Sequence, residues 1–217
     1  MEQILRQPPK DLLDTILAVE AASVFDPNFS KVDERTLEYL QDLNSIYESL
    51  NPEPQKSVLA IIPCAPANMP KDFGFFYNSE RYFQLENNLI LYLIKENITE
   101  VWVEMSQGLA TATALAVIRM KKHGFNIKLN VAVPCKGFDS QIFGMSKKIY
   151  EKIVKAADVC TLVSEKPKNN ETYKNALLYI INNSDKALCA NPEFKNNKFF
   201  LGHCERTKKE VLEFKIE

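Results

Sequence analysis

Residues able to do chemistry are few in this 217-residue chain, and they gather at two turns. The first turn is Pro134-Cys135-Lys136-Gly137. A thiolate nucleophile there would need a base or a positive neighbour to lower its pKa. Lys136 is adjacent, but neither His123 nor His203 is placed to help, so a structural role for Cys135 is preferred. Asp139 follows four residues later and suits either a ribose hydroxyl or the capping of a turn. The second turn is Met105-Ser106-Gln107-Gly108, at the start of an expected helix. A helix N-terminus offers N–H groups and the positive end of a dipole to a phosphate or carboxylate. The plainer alternative is that Ser106 only caps the helix and Gly108 only allows close packing. Glu104 and Glu165 are the carboxylates with acid–base potential, and burial would raise their pKa. His203-Cys204-Glu205 lies away from any strand end and reads as structural.

Other chemistries are disfavoured. There is no GxGxxG and no GxxxxGK[ST], and six glycines leave little for a phosphate cradle. Five cysteines, odd in number and widely spaced, argue against a disulfide framework. No CxxC pair or cluster of ligands suggests zinc, so neither metal nor cofactor is expected. Cys160 and Cys189 fall in strands expected to be buried, where cysteine acts as a small hydrophobe.

These turns need elements to hold them. Val101–Met105 and Lys128–Val133 read as strands, and the helix between them, with interior ATATALAVI, is apolar all round and therefore buried. Gly124 suits its C-terminal end. Val58–Ile62 is a β-branched run that reads as a central strand, stopped by Pro63-Cys64-Ala65-Pro66. A proline-rich loop with Phe73, Phe75, Phe76 and Tyr77 follows, then a helix from Ser79 to about Glu96. Helices over 146–155 and 172–182 and strands over 158–164 and 187–190 continue the alternation. The spacing predicts a last helix over 205–214. Strands alternating with helices imply an α/β fold: a Rossmann-like parallel sheet with helices on both faces. In such sheets ligands bind beyond the carboxyl ends of the strands.

Before this domain, assigned to 56–217, residues 1–55 read as an acidic two-helix extension and linker. Helical spacing covers 11–24 and 32–50, the second with a stripe of Leu37, Leu40, Leu43, Ile46 and Tyr47. The stripe needs covering, by the domain or by a second copy in a homo-oligomer. Residues 1–55 carry 11 acids and 4 bases, against 17 and 23 in the remainder. The domain is mildly basic, but its bases are scattered, so the composition argues against nucleic acid as a partner. No apolar run spans a bilayer, and the acidic, proline-broken start is no secretory signal. A cytoplasmic location is the expectation.

The order of segments resembles the YpsA-like branch of the SLOG superfamily, Rossmann-like domains related to the DprA and LOG proteins. The resemblance covers about 57–212. It is carried by VAVPCKGFDSQIF at 131–143, similar to that branch's strand and "PCK..D" turn, and by YEKIVKAADVCTLVSE at 150–165. Asn183-Ser184-Asp185 and the loop residues Pro66 and Met69-Pro70 add to it. The resemblance implies a pocket for nucleotides or nucleotide-derived signals. Departures fall on the charged residues. Pro63-Cys64-Ala65-Pro66 stands where the family has Gly-His-Arg-Pro. Gly108 is kept in the second turn, but Val103, Glu104, Ala110 and Leu115 fill its other positions. Ala176 and Leu177 replace an Arg-Asn pair, for which Lys174 and Asn175 would need a two-residue shift; only Gly202 remains near the relatives' PGGxGT loop. LOG-type enzymes use that loop to cleave a base from a nucleotide.

The leading expectation is a non-catalytic protein that senses or sequesters a nucleotide-like small molecule. Its pocket residues would be Cys64, Ala65, Ser106, Gln107, Gly108, Pro134, Cys135, Asp139 and Glu165. Ser106 and Gly108 would supply N–H groups to phosphate, and Asp139 or Glu165 would take ribose hydroxyls. A nucleotide N-glycosidase or phosphohydrolase using Glu104 or Glu165 is the second expectation. An interaction protein with a vestigial pocket is the third.

Overall fold

The structure is a computed structural model that describes residues 34–50, 56–70, 80–166 and 169–216. The expected helix over 11–24, the linker at 51–55, the aromatics of 73–77 and the Ser79 cap lie outside them. The described elements are α1 (Glu34–Leu50), β1 (Val58–Ile62), α2 (Glu80–Lys95), β2 (Glu100–Glu104), α3 (Leu109–Lys122), β3 (Lys128–Val133), α4 (Gly144–Ala156), β4 (Val159–Leu162), α5 (Asn170–Asn182), β5 (Lys186–Cys189), α6 (Lys195–Arg206) and β6 (Glu210–Glu213). The six strands form one sheet in the order β4-β3-β2-β1-β5-β6. Every pairing is parallel, with Ala60 opposite Trp102 and Ala187, and Glu104 opposite Ala132.

All five β1 residues are buried, as a central strand covered on both faces requires. Alternate residues enter two cores. Leu59, Ile61, Val101, Val103, Leu129 and Val131 face a core shared with α1, α2 and α3. Val58, Ala60, Ile62, Trp102 and Ala132 face a second core, against α5 and α6. The small residues of α3 let it lie close to the sheet, and Leu109 to Ala114 are all buried. Leu37 and Leu40 of α1 are fully buried in the first core. At about 1.5–3 kcal/mol for each such side chain, this holds the helix against its own domain. The contact also has a polar clasp. Glu34 lies 2.6 Å from His123 Nε2 and 3.8 Å from Arg119, whose guanidinium donates to Asn87 Oδ1 at 2.7 Å.

Three expectations are corrected. The C-terminal segment is not a helix over 205–214. Instead α6 ends at Arg206, Lys208 adopts a left-handed conformation (φ 54°), and β6 adds a sixth parallel strand beside β5. EVLE is an edge strand whose charged residues face solvent, with Glu210 3.3 Å from Lys186, so its alternation is masked. Cys160 is exposed, because β4 is the opposite edge of the sheet and the helices do not cover it there. Ser106 does not cap α3; Gly108 holds the N-cap position, with no side-chain cap. No helix among the described residues is long and apolar enough to cross a membrane.

Candidate functional site

From β1 the chain moves to one side through β2, β3 and β4, then returns to the other side as β5 and β6. The reversal lies between β1 and β5, and ligands in such sheets bind in the crevice beyond that point. Here that crevice is stitched. Asn191, after β5, donates to the Asn68 carbonyl at 3.0 Å and lies 3.2 Å from Cys64 Sγ. Asn197 donates in turn to the Asn191 carbonyl at 2.8 Å. Cys64 is 3% exposed, and burial pushes its thiol up to about 11 despite the Asn191 contact. It is protonated at neutral pH and so a poor nucleophile. Ala65 is exposed and leads into a single 3₁₀ turn, Pro66–Asn68.

The start of α3 is tied to the same loop. The Leu109 N–H donates to the Cys64 carbonyl at 3.0 Å. Gly108 makes this approach possible: its φ is +95°, and a Cβ there would stand 2.1 Å from the Cys64 oxygen. The Thr111 hydroxyl donates to the Ser106 carbonyl at 2.8 Å.

A cavity of about 460 Å³ opens one strand away, beyond the ends of β2 and β3. Such a volume suits a small-molecule ligand. Met105, Ser106, Gln107 and Thr111 form one wall. Phe138, Ile142 and Phe143 come from the turn after β3, Ser146, Ile149, Tyr150 and Ile153 from α4, and Tyr173 from α5. The Phe138 ring sits 5.8 Å from Tyr150 and 6.0 Å from Tyr173, centroid to centroid. Phe143 is 79% exposed and stands at the mouth. Gln107 Nε2 donates to Ser146 Oγ at 3.0 Å, linking two walls. None of the described lining side chains is formally charged. The Tyr173 phenol is pushed up to about 12 by burial, then by the nearby Glu104 and Cys135. Tyr150 is raised too, again chiefly by burial. Both hydroxyls therefore remain protonated near neutral pH.

Glu104 lies behind this wall, at the end of β2 on the Trp102 side of the sheet. It is 1% exposed, and neither carboxylate oxygen has a hydrogen-bond partner among the described residues. Burial pushes it up to about 7, although the hydroxyl and amide of Ser106 lie near enough to favour the anion. The Ser106 hydroxyl is itself buried without a hydrogen-bond partner among the described residues.

Of the nine residues read from the sequence, Ser106 and Gln107 line the cavity. Gly108 supports it from the helix start. Pro134 and Cys135 are buried, and the Cys135 carbonyl accepts from Phe138 N at 3.3 Å, shaping the turn beneath the aromatic ring. Asp139 is exposed, near enough for its charge to raise Tyr150. The Glu165 side chain is 78% exposed, 3.7 Å from Lys136 Nζ. Cys64 and Ala65 belong to the stitched crevice. Sequence reasoning missed Phe138, Phe143, Ser146, Tyr150 and Tyr173. The available signal was Phe138, Phe143 and Tyr150 spaced along the turn and helix after β3. Asn183-Ser184-Asp185 serves the backbone: Ser184 donates to the Ile181 carbonyl at 3.0 Å, and Asp185 accepts from Val58 N at 3.1 Å. Cys204 is fully buried, and His203 Nε2 lies 2.8 Å from Asn182 Oδ1, structural positions for both.

Sheet order and strand-end cavity together define a doubly wound, Rossmann-like protein. The YspA SLOG family (YpsA) model matches residues 71–216, and the chain belongs to that family of nucleotide-related Rossmann-like proteins. No curated protein matches the chain closely.

Proposed function

We propose that this protein holds a nucleotide or nucleotide-derived molecule in the strand-end cavity without turning it over, as a sensor or a sequestering protein. The observation that carries the reading is the cavity itself. Three aromatic rings, Phe138 with Tyr150 and Tyr173 beside it, offer faces for a base, while Gln107, Ser146 and Tyr173 offer neutral polar contacts. None of the described lining side chains is a carboxylate, imidazole or thiol, the usual acids, bases and nucleophiles.

The test is mass spectrometry of small molecules released on denaturing the purified protein, followed by titration with what is found. A stoichiometric nucleotide-like compound, released intact, is expected. Phe143→Ala should weaken its binding about tenfold, since base–aromatic stacking is worth ~1–3 kcal/mol. Thermal stability should be unchanged, because Phe143 is exposed. An empty protein that no nucleoside or nucleotide stabilises would overturn the proposal.

A second reading rests on Glu104. A buried carboxyl pushed up to about 7 is suited to general acid–base work, as in a nucleotide N-glycosidase. It predicts conversion of added nucleotides that Glu104→Gln lowers at least a hundredfold. Equal turnover by the variant would remove Glu104 from the mechanism.

A further inference from the structure

We infer that the cavity recognises an uncharged, flat heteroaromatic ligand, a nucleobase or nucleoside, and discriminates against the phosphorylated forms. This rests on the proposed binding of a nucleotide-related molecule at the same site. Four observations lead to it. The described lining offers hydroxyls, one amide, aromatic rings and aliphatic groups, but no cation. The helix start that would be the natural phosphate seat is partly engaged, because one of its N–H groups, that of Leu109, is spent on the Cys64 carbonyl, which packs so close that a Cβ at Gly108 would collide with it. At the end of β3, Lys136 is exposed and lies 3.7 Å from the Glu165 carboxylate. Behind the wall, the only buried charged-type side chain among the described residues is an acid, Glu104.

A phosphate brought into these surroundings would lose its hydration and gain no opposite charge, and a buried charge without a partner is strongly disfavoured. A neutral ring meets no such penalty. It stacks on the Phe138 and Tyr150 side of the cavity, and its polar edge meets the Gln107 amide and the Ser146 hydroxyl, which link two walls at 3.0 Å. Tyr150 and Tyr173, held protonated, are donors that suit carbonyl or ring-nitrogen acceptors. The stitched crevice between β1 and β5 accounts for the shift of the open space toward β3.

Calorimetric titration of the full chain with the common nucleosides and their 5′-mono- and triphosphates tests the inference. At least one nucleoside should bind more tightly than its monophosphate, about tenfold or more, and the triphosphate should be weaker still. Nucleoside affinity should hardly change with salt, since no ion pair is formed. Tighter binding of the phosphorylated forms, weakened by added salt, would overturn the inference and leave the proposed binding function standing. Binding by neither series would overturn both. Phe143→Ala should weaken the nucleoside and its monophosphate by the same factor, whereas a Lys198→Ala surface control should change neither.

Discussion

Gly108→Ala should destabilise the fold by about 3 kcal/mol or more in urea unfolding, an unusually large cost for adding one methyl group. Two causes act together. The backbone at Gly108 has φ +95°, where a side chain alone costs of order 1–3 kcal/mol. The new Cβ would also stand 2.1 Å from the Cys64 carbonyl oxygen. That oxygen is backbone, held by the Leu109 N–H, so it cannot swing aside as a flexible side chain would. Either α3 or the loop after β1 must retreat, and Ser106 and Gln107 move with them. Gly144→Ala is the control, since Gly144 also has positive φ (59°) but nothing lies within 4 Å of its Cβ position. It should show only the conformational cost, about 1–2 kcal/mol. Equal losses in the two variants would mean that the close approach at Gly108 is not what stabilises this junction. For the same reason Gly108→Arg is a poor probe of the cavity, because binding would be lost along with the fold.

The alternation of apolar strands and helices made the sheet legible. β1 and β3 have the bounds their apolar runs indicate, and the all-round apolar α3 is buried as its composition requires. What escaped was decided by long-range pairing or by local polar chemistry. β6 has only four residues, two of them glutamates, and is a strand because β5 offers it an edge. α5 starts two residues earlier than its apolar pattern suggests, because the Asn169 side chain accepts from Thr172 N while Thr172 Oγ1 accepts from Asn169 N. The site divides in the same way. Ser106 and Gln107 follow a strand directly, so the rule that ligands bind at strand ends finds them. Tyr173 lies far along the chain from both and reaches the cavity only through the crossover that sets α5 on its face of the sheet. Cys64 and Ala65 sit where the rule points most strongly, yet Asn191 and Asn68, distant in sequence, bridge that crevice. Side chains that close a crevice leave no local pattern to read.

Glu104→Gln should strongly change how stability depends on pH around neutrality. Glu104 is pushed from its ordinary 4.5 to about 7 by burial. The folded state therefore keeps a proton that the unfolded chain releases, and stability must fall as pH rises through this window. Below about 4.5 both states are protonated and Glu104 adds no pH dependence. Above about 7 both are ionised, and the full penalty remains. At about 1.4 kcal/mol per pH unit, the fall is worth about 3 kcal/mol across the window. The glutamine variant carries no proton to lose, so this component disappears. Its own amide, left without partners, imposes a cost that is the same at every pH. The gap between variant and parent should thus move by about 3 kcal/mol in the variant's favour between mildly acidic and mildly alkaline solution, whatever its sign at the start. Urea unfolding across that range measures it, and parallel curves would show that Glu104 ionises normally. The result also bears on the ligand. A carboxyl that is neutral below about 7 and anionic above it makes the region behind Ser106 more negative as pH rises. Discrimination against phosphate should then sharpen in the parent as pH rises through the same interval, and more so than in Glu104→Gln.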